Sequence, residues 1–160
     1  MTNELDILNH DELERLKDAM PLIAILIGRA DNDMDASEYK LAEKIAHIRS
    51  YNSPDYLQPF YQSVEAGLKS SLDLFNKELP AETVLRNQFI SDRLASLNPI
   101  LQKLNPKIGA QLYKGFIRFS SEMAKASGGF LGFMSINSEE SKWVNLPMLN
   151  EIRFEEEEEE

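Results

Sequence analysis

Apolar residues recur at helical spacing over almost the whole chain, and this periodicity is the feature that most limits the fold. The clearest case is a stripe of five apolar side chains, three or four residues apart: Ile108, Leu112, Phe116, Phe119 and Met123. Residues at i, i+4 and i+7 share one face of an α-helix, whereas a half-buried strand alternates at every second residue. No segment shows sustained alternation between hairpin turns. The sequence therefore predicts an all-α fold, a compact bundle of about six or seven helices.

Prolines and capping residues indicate where the predicted helices begin and end. We expect Asp11 to cap the first helix, and Pro21 either to kink that helix or to open the next one. A further helix is predicted from 36 to about 51, and the chain restarts at Pro54. The next two helices are expected to bury these stripes: Tyr56, Phe60, Val64, Leu68, Leu72 and Phe75 in one, and Val84, Phe89, Ile90, Leu94 and Leu97 in the other. Trp143 is expected in the core.

Composition excludes several classes of protein. The chain has 160 residues and no cysteine, which excludes disulfides, thiolate metal sites and cysteine nucleophiles. No apolar run approaches the roughly 18 residues that a membrane span needs. The acidic N-terminus does not resemble a signal peptide, so we expect a cytoplasmic protein that is not transmembrane.

The acidic charge is concentrated at the C-terminus. Six consecutive glutamates occupy 155–160, and removing them from the formal net charge of −10 leaves −4 on the remaining chain. We expect one helical domain over 1–154 and a disordered poly-Glu tail over 155–160. A mildly acidic body argues against a nucleic-acid partner, because such binding depends on Lys and Arg neutralising phosphates.

The segment ADNDMDASE, at 30–38, carries an unusual density of carboxylates. Asp31, Asp33 and Asp35 stand at every second position, and Glu38 follows. Alternating aspartates supply oxygen ligands for hard cations, but Ala36 and Ala42 stand where an EF-hand needs glycine and a bidentate glutamate. A second interpretation needs no metal: Asp35 and Glu38 form a capping box, and the other two aspartates are solvated. Both interpretations stay open, although a cap needs one aspartate and not three.

A weak internal repeat accompanies this segment. The run ILIGRADNDMDASEYKLAEKI aligns in outline with FSSEMAKASGGFLGFMSINSEESKWV, each being a helix end, a loop and a helix start of the form Asp/Asn-x-x-Glu. The two runs together resemble the tellurite-resistance TerB-like family, over about 19–144. The resemblance implies a compact all-helical domain with an acidic cluster that binds divalent cations. The residues that match this cluster are Asp31, Asp35 and Glu38, and Asp33 replaces the commoner Gly or Glu.

The glycine-rich loop SGGFLGF, at 127–133, is the second candidate site. No GK[ST] follows it and no strand precedes it, so it does not match a nucleotide-binding loop. Its apolar side chains either fold inward or remain exposed to dock a protein partner or a membrane surface peripherally. The residues assigned to partner binding are Phe130, Leu131 and Phe133.

Taken together, these features predict a TerB-like binding or scaffold module and not an enzyme. A divalent cation (Ca²⁺, Mg²⁺, Mn²⁺ or Zn²⁺) held by Asp31, Asp33, Asp35 and Glu38 would fix the angle between the flanking helices, and a protein partner in a stress-response setting would recognise that state. The first alternative is an interaction domain without metal that uses the glycine-rich loop. The second is a metal-dependent hydrolase, against which stands the absence of histidine near the acidic loop. Neither the partner nor the oligomeric state follows from the sequence.

Overall fold

The computed structural model describes residues 4–28, 36–127 and 142–154, and every regular element within them is an α-helix. The all-α prediction is therefore confirmed. In chain order the helices are α1 (His10–Lys17), α2 (Ala19–Gly28), α3 (Ala36–Asn52), α4 (Gln58–Glu78), α5 (Thr83–Ala95), α6 (Asn98–Lys103) and α7 (Pro106–Ser127).

Five of these helices have ten or more residues and build the body, whereas α1 has 8 residues and α6 has 6. The prediction of six or seven helices therefore overstates the number of long helices among the described residues. Proline explains why α6 is short. Pro99 lies at its start, and Pro106 disfavours the helical conformation at Asn105, so little chain remains between the two.

Helix α2 lies at the centre of the body. All ten of its residues, AMPLIAILIG, are buried, and it packs against α3, α4, α5 and α7. A helix without any polar face is stable only when other elements surround it. Pro21 lies in its first turn, where a backbone N–H would have no partner within the helix.

Helices α4 and α7 enclose α2 with the stripes predicted from the sequence. Phe60, Val64, Leu68 and Leu72 of α4 are buried. All five side chains of the α7 stripe are also buried, which confirms that prediction. The hydrophobic core cluster continues through α1, α3, α5, α6 and the C-terminal segment.

Two local predictions are wrong. The N-cap of α1 is Asn9 and not Asp11: the Asn9 Oδ1 accepts from the Glu12 N–H at 2.8 Å, and the Glu12 carboxylate accepts from the Asn9 N–H at 3.1 Å. This capping box satisfies two backbone donors at once. In α5, Val84 and Phe89 are exposed and do not join Ile90 and Leu94 in the core.

The C-terminal segment returns along α7. Trp143 is buried, as predicted, and so are Leu146 and Leu149. The Ser120 hydroxyl of α7 donates to the Val144 carbonyl at 2.7 Å. Asn98 of α6 donates to the Met148 carbonyl and accepts from the Asn150 N–H. These bonds hold the segment against α6 and α7 up to Asn150.

None of the helices described combines the length and the apolar character that crossing a membrane would require.

Candidate functional site

One of the four predicted cation ligands lies within the described residues. Glu38 is in the first turn of α3, and its side chain is buried, with 6% of its surface exposed. Asp31, Asp33 and Asp35 lie outside the described residues. No group of three or more His, Asp or Glu side chains that could hold a metal ion occurs in the ranges that are described. The predicted cation site therefore stays a prediction.

The glycine-rich loop also lies outside the described residues. Phe130, Leu131 and Phe133 follow Ser127, the last residue of α7, and belong to the undescribed range 128–141. Their assignment to partner binding also stays a prediction.

The two predicted sites nevertheless join the described body at the same end of a helix pair. Arg49 of α3 is level with Gly115 and Phe119 of α7, while Tyr56, beyond the end of α3, hydrogen-bonds Gln111. Residue numbers therefore rise along α3 in the direction in which they fall along α7, so the two helices are antiparallel. The start of α3 and the end of α7 therefore face the same end of this helix pair.

A cleft opens further along the same helix pair. It lies between the C-terminal half of α3, the 53–61 segment that leads into α4, and the middle of α7, and its volume is about 370 Å³. We call it the α3–α7 cleft. Its apolar side comes from Ile45, Ile48, Pro54 and Leu57.

Three cationic side chains line the α3–α7 cleft: Arg49, Lys114 and Arg118. Lys114 and Arg118 are one turn apart on α7, and both are exposed. One carboxylate, Glu122, also lines the cleft. Within the described parts of the chain, none of the three cations forms an ion pair. The cleft is thus a basic site on an acidic protein.

The floor of the cleft is formed where Gly115 meets Arg49 and Tyr61. A Cβ atom on Gly115 would lie 2.9 Å from the Tyr61 Oη and 3.4 Å from the Arg49 Nη1. The Arg49 guanidinium carbon lies 5.6 Å from the centre of the Tyr61 ring and 5.9 Å from that of Phe119. These are cation–π distances, and they keep the guanidinium in position.

At the cleft floor, burial and nearby positive charge have opposite effects on the pKa of Tyr61. Desolvation raises the pKa of the Tyr61 phenol, and the nearby positive charges of Arg49 and Arg118 offset part of that rise. The Arg49 Nη1 is buried without a hydrogen-bond partner in the residues that the structure describes. A side-chain hydrogen bond between Arg49 and Tyr61 also offsets part of the pKa rise, so the unsatisfied group is the Nη1 atom alone and not the whole guanidinium.

Sequence reasoning did not identify the α3–α7 cleft. The available signal was Lys114-Gly115 followed by Arg118, a basic pair at i, i+4 beside a small residue. Nothing in the sequence places Arg49 and Tyr61, which come from two other helices, against that pair. Periodicity shows which residues share a face of one helix, but not which faces of different helices meet.

Comparisons with known proteins add no assignment: no family model, no curated protein and no solved structure matches this chain. The resemblance to the TerB-like family rests on the two sequence runs alone and stays a prediction.

Proposed function

We propose that the protein is a helical binding module, without catalytic activity, that uses a divalent cation at the start of α3 to shape a surface for a protein partner. The ligands would be Asp31, Asp33, Asp35 and Glu38, as in the TerB-like pattern. In this proposal the module acts in the cytoplasm and in a stress response.

The observation that carries this proposal is the burial of Glu38. Glu38 has 6% of its surface exposed, and it follows the three aspartates in the sequence, so burial holds one carboxylate of the predicted ligand set at the start of α3. A cation that neutralises the aspartates just before α3 would also stabilise Glu38. Such an ion would tie the start of α3 to the preceding chain and so fix the angle between α2 and α3.

The experiment is a thermal melt of the full chain in EDTA and then with Ca²⁺, Mg²⁺, Mn²⁺ or Zn²⁺. A ligand that binds only the native state stabilises it by about 2.7 kcal/mol at one hundred times its Kd. We expect one of these ions to raise the melting temperature by several degrees, and Asp31→Asn with Asp35→Asn to abolish the rise. A variant with glutamine at 155–160 controls for weak binding by the glutamate run and should keep the full rise.

Melts that none of the four ions changes would reject the cation and leave the first alternative, a module without metal. In this second candidate the glycine-rich loop, which follows the last residue of α7 in the sequence, supplies the contact surface. In that case Phe130→Ser with Phe133→Ser should leave the melt in EDTA unchanged, since an exposed contact surface adds little to stability. A large loss of stability would instead place these side chains in the core.

A further inference from the structure

We propose that the α3–α7 cleft is a binding site for a small phosphate monoester with an apolar body. The phosphate would lie among Arg49, Lys114 and Arg118, and the apolar body would lie against Ile48 and Pro54. This proposal does not depend on a cation at the start of α3, because the cleft lies near the other end of that helix.

The charge of the cleft matches a doubly charged group. Three cations face one carboxylate, Glu122, which leaves an excess of about two positive charges. A phosphate monoester carries about −1.5 to −2 charges near neutral pH, whereas a carboxylate carries one. The positive charges also come from two helices, so they lie on both sides of the cleft.

Arg49 supports the same conclusion independently. Its Nη1 is buried, and no residue described in the structure accepts a hydrogen bond from it. Nη1 itself is covered, so it does not contact a ligand directly. An anion elsewhere in the cleft would still offset this charge through space, since Coulomb interactions are stronger near a protein interior than in water.

The size and lining of the cleft favour a small organic molecule over a bare ion. Its volume of about 370 Å³ lies within the range of about 300–1,000 Å³ that is usual for small-molecule sites. Leu57 and Ile45 are buried behind the apolar side, and Ile48 is half-buried. An apolar group there would remove further surface from water.

Gly115 keeps the cleft floor open to this arrangement. A Cβ atom at this position would approach the Tyr61 hydroxyl to 2.9 Å and force one of the two residues to move. The rigid Tyr61 ring is buried, so the floor is fixed before any ligand binds.

The test is an NMR titration of the full chain, followed at the amides of Lys114, Gly115 and Arg118. Phenyl phosphate is the probe, and inorganic phosphate, benzoate and benzyl alcohol are titrated separately. We expect phenyl phosphate to shift these amides, to bind more tightly than each of the other three, and to bind more weakly as salt is added.

Substitutions test whether phenyl phosphate binding depends on the cationic side chains of the cleft. Lys114→Gln with Arg118→Gln should weaken phenyl phosphate binding by at least about tenfold, or about 1.4 kcal/mol. Both side chains are exposed, so the variant is expected to fold normally. Lys125→Gln is the matched control, because Lys125 is an exposed lysine on the same helix that does not line the cleft, and it should leave the affinity unchanged.

Four results would overturn the proposal. Amides that do not shift at millimolar phenyl phosphate would reject the site. Equal affinity for inorganic phosphate would reject the apolar body, and equal affinity for benzoate would reject the phosphate. The double variant removes two positive charges and Lys125→Gln removes one, so a free-energy loss in Lys125→Gln of half that in the double variant or more would show binding to surface charge alone.

Discussion

Gly115 determines how closely α7 approaches α3 and α4. The position a Cβ would occupy is 2.9 Å from the Tyr61 Oη and 3.4 Å from the Arg49 Nη1, and real side chains essentially never tolerate the shorter distance. Tyr61 is buried on α4, so its ring has little freedom to move away. Gly67 of α4 provides a natural comparison, because nothing lies within 4 Å of the corresponding Cβ position there.

We therefore predict opposite effects of the same substitution at these two glycines. Gly67→Ala should stabilise the protein by about 0.5–1 kcal/mol, because alanine is the better residue inside a helix. Gly115→Ala gains the same helical preference but overpacks the cleft floor, which typically costs about 1–3 kcal/mol. Urea unfolding of both variants measures the difference, and equal stabilisation would contradict the close approach.

Asp18, between α1 and α2, carries a charge that folding makes unfavourable. Burial raises the pKa of its carboxyl group, and the Arg93 guanidinium, 3.5 Å away, offsets the rise only in part. The folded-state pKa therefore lies above the unfolded value near 3.8. Above both values the folded protein bears the full cost of the charge. As the pH falls through the folded pKa, the folded state takes up the proton first and the cost disappears.

Because folding raises the pKa of Asp18, we predict that Asp18→Asn stabilises the protein at neutral pH. The advantage over the wild type should shrink as the pH falls toward 3.8. Urea unfolding at a series of pH values measures it. Asp73→Asn, at an exposed position on α4, is the control and should change stability little at any pH. An advantage of Asp18→Asn that grows toward acid pH would show that Arg93 outweighs burial.

At the scale of the element, α5 shows a helix whose buried face differs from its most apolar face. Ile90 and Leu94 are buried, but so are the polar residues Arg86 and Asn87. The Arg86 Nη1 donates to the Ala81 carbonyl at 3.0 Å, which satisfies part of this polar group. Val84 and Phe89 remain 70% and 47% exposed. Helix α5 packs against α2, and the orientation of that contact determines which side chains are covered.

Side-chain truncations on the two faces of α5 should therefore have very different effects on the free energy of unfolding. Leu94→Ala removes a fully buried side chain and should cost about 2–5 kcal/mol. Phe89→Ala removes a larger but half-exposed side chain and should change stability by only about 0.5 kcal/mol. The denaturant midpoints of the two variants, compared at equal m-values, give both changes in the free energy of unfolding. Similar losses at the two positions would mean that α5 packs through the face predicted from the sequence.

At the scale of the whole molecule, the glutamates at 155–160 follow a residue close to the basic cleft. Phe154 lines a groove with Lys114 and Arg118, both of which also line the α3–α7 cleft. Six residues span at most about 20 Å, which is the farthest that residue 160 can lie from Phe154. A high local concentration of carboxylate competes with any other anion for the same charges.

We predict that glutamine at all six tail positions increases the affinity of the cleft for phenyl phosphate at low salt. Added salt should remove the difference, because it screens exposed charges. The same NMR titration measures the effect. Replacing Glu43 and Glu78 by glutamine is the control, since both are exposed residues that do not line the cleft. Equal affinities for the tail variant and the wild type at low salt would contradict competition by the tail.

The predictability of the two sites differs for a physical reason. Asp31, Asp33 and Asp35 are close together in the sequence, so a cation site can be predicted from that short segment alone. The α3–α7 cleft joins Arg49, Tyr61 and Gly115, which come from three helices far apart in the chain. No local sequence pattern predicts that these three residues meet, and the burial of the Arg49 Nη1 follows only from the packing of the helices.

The sequence by itself determined that this protein is helical, that the whole α7 stripe enters the core and that four of the six residues of the α4 stripe do so, with Tyr56 and Phe75 half-buried. The reason is that helical periodicity follows from backbone geometry that each segment carries alone. Only the tertiary structure decided the rotation of α5 and the assembly of the basic cleft. The cap of α1 by Asn9, in contrast, follows the local Asn-x-x-Glu pattern of residues 9–12. For α5 and the cleft the result depends on which surfaces pack together. Competition among such contacts is settled by the free energy of the whole fold and not by the preference of any one segment.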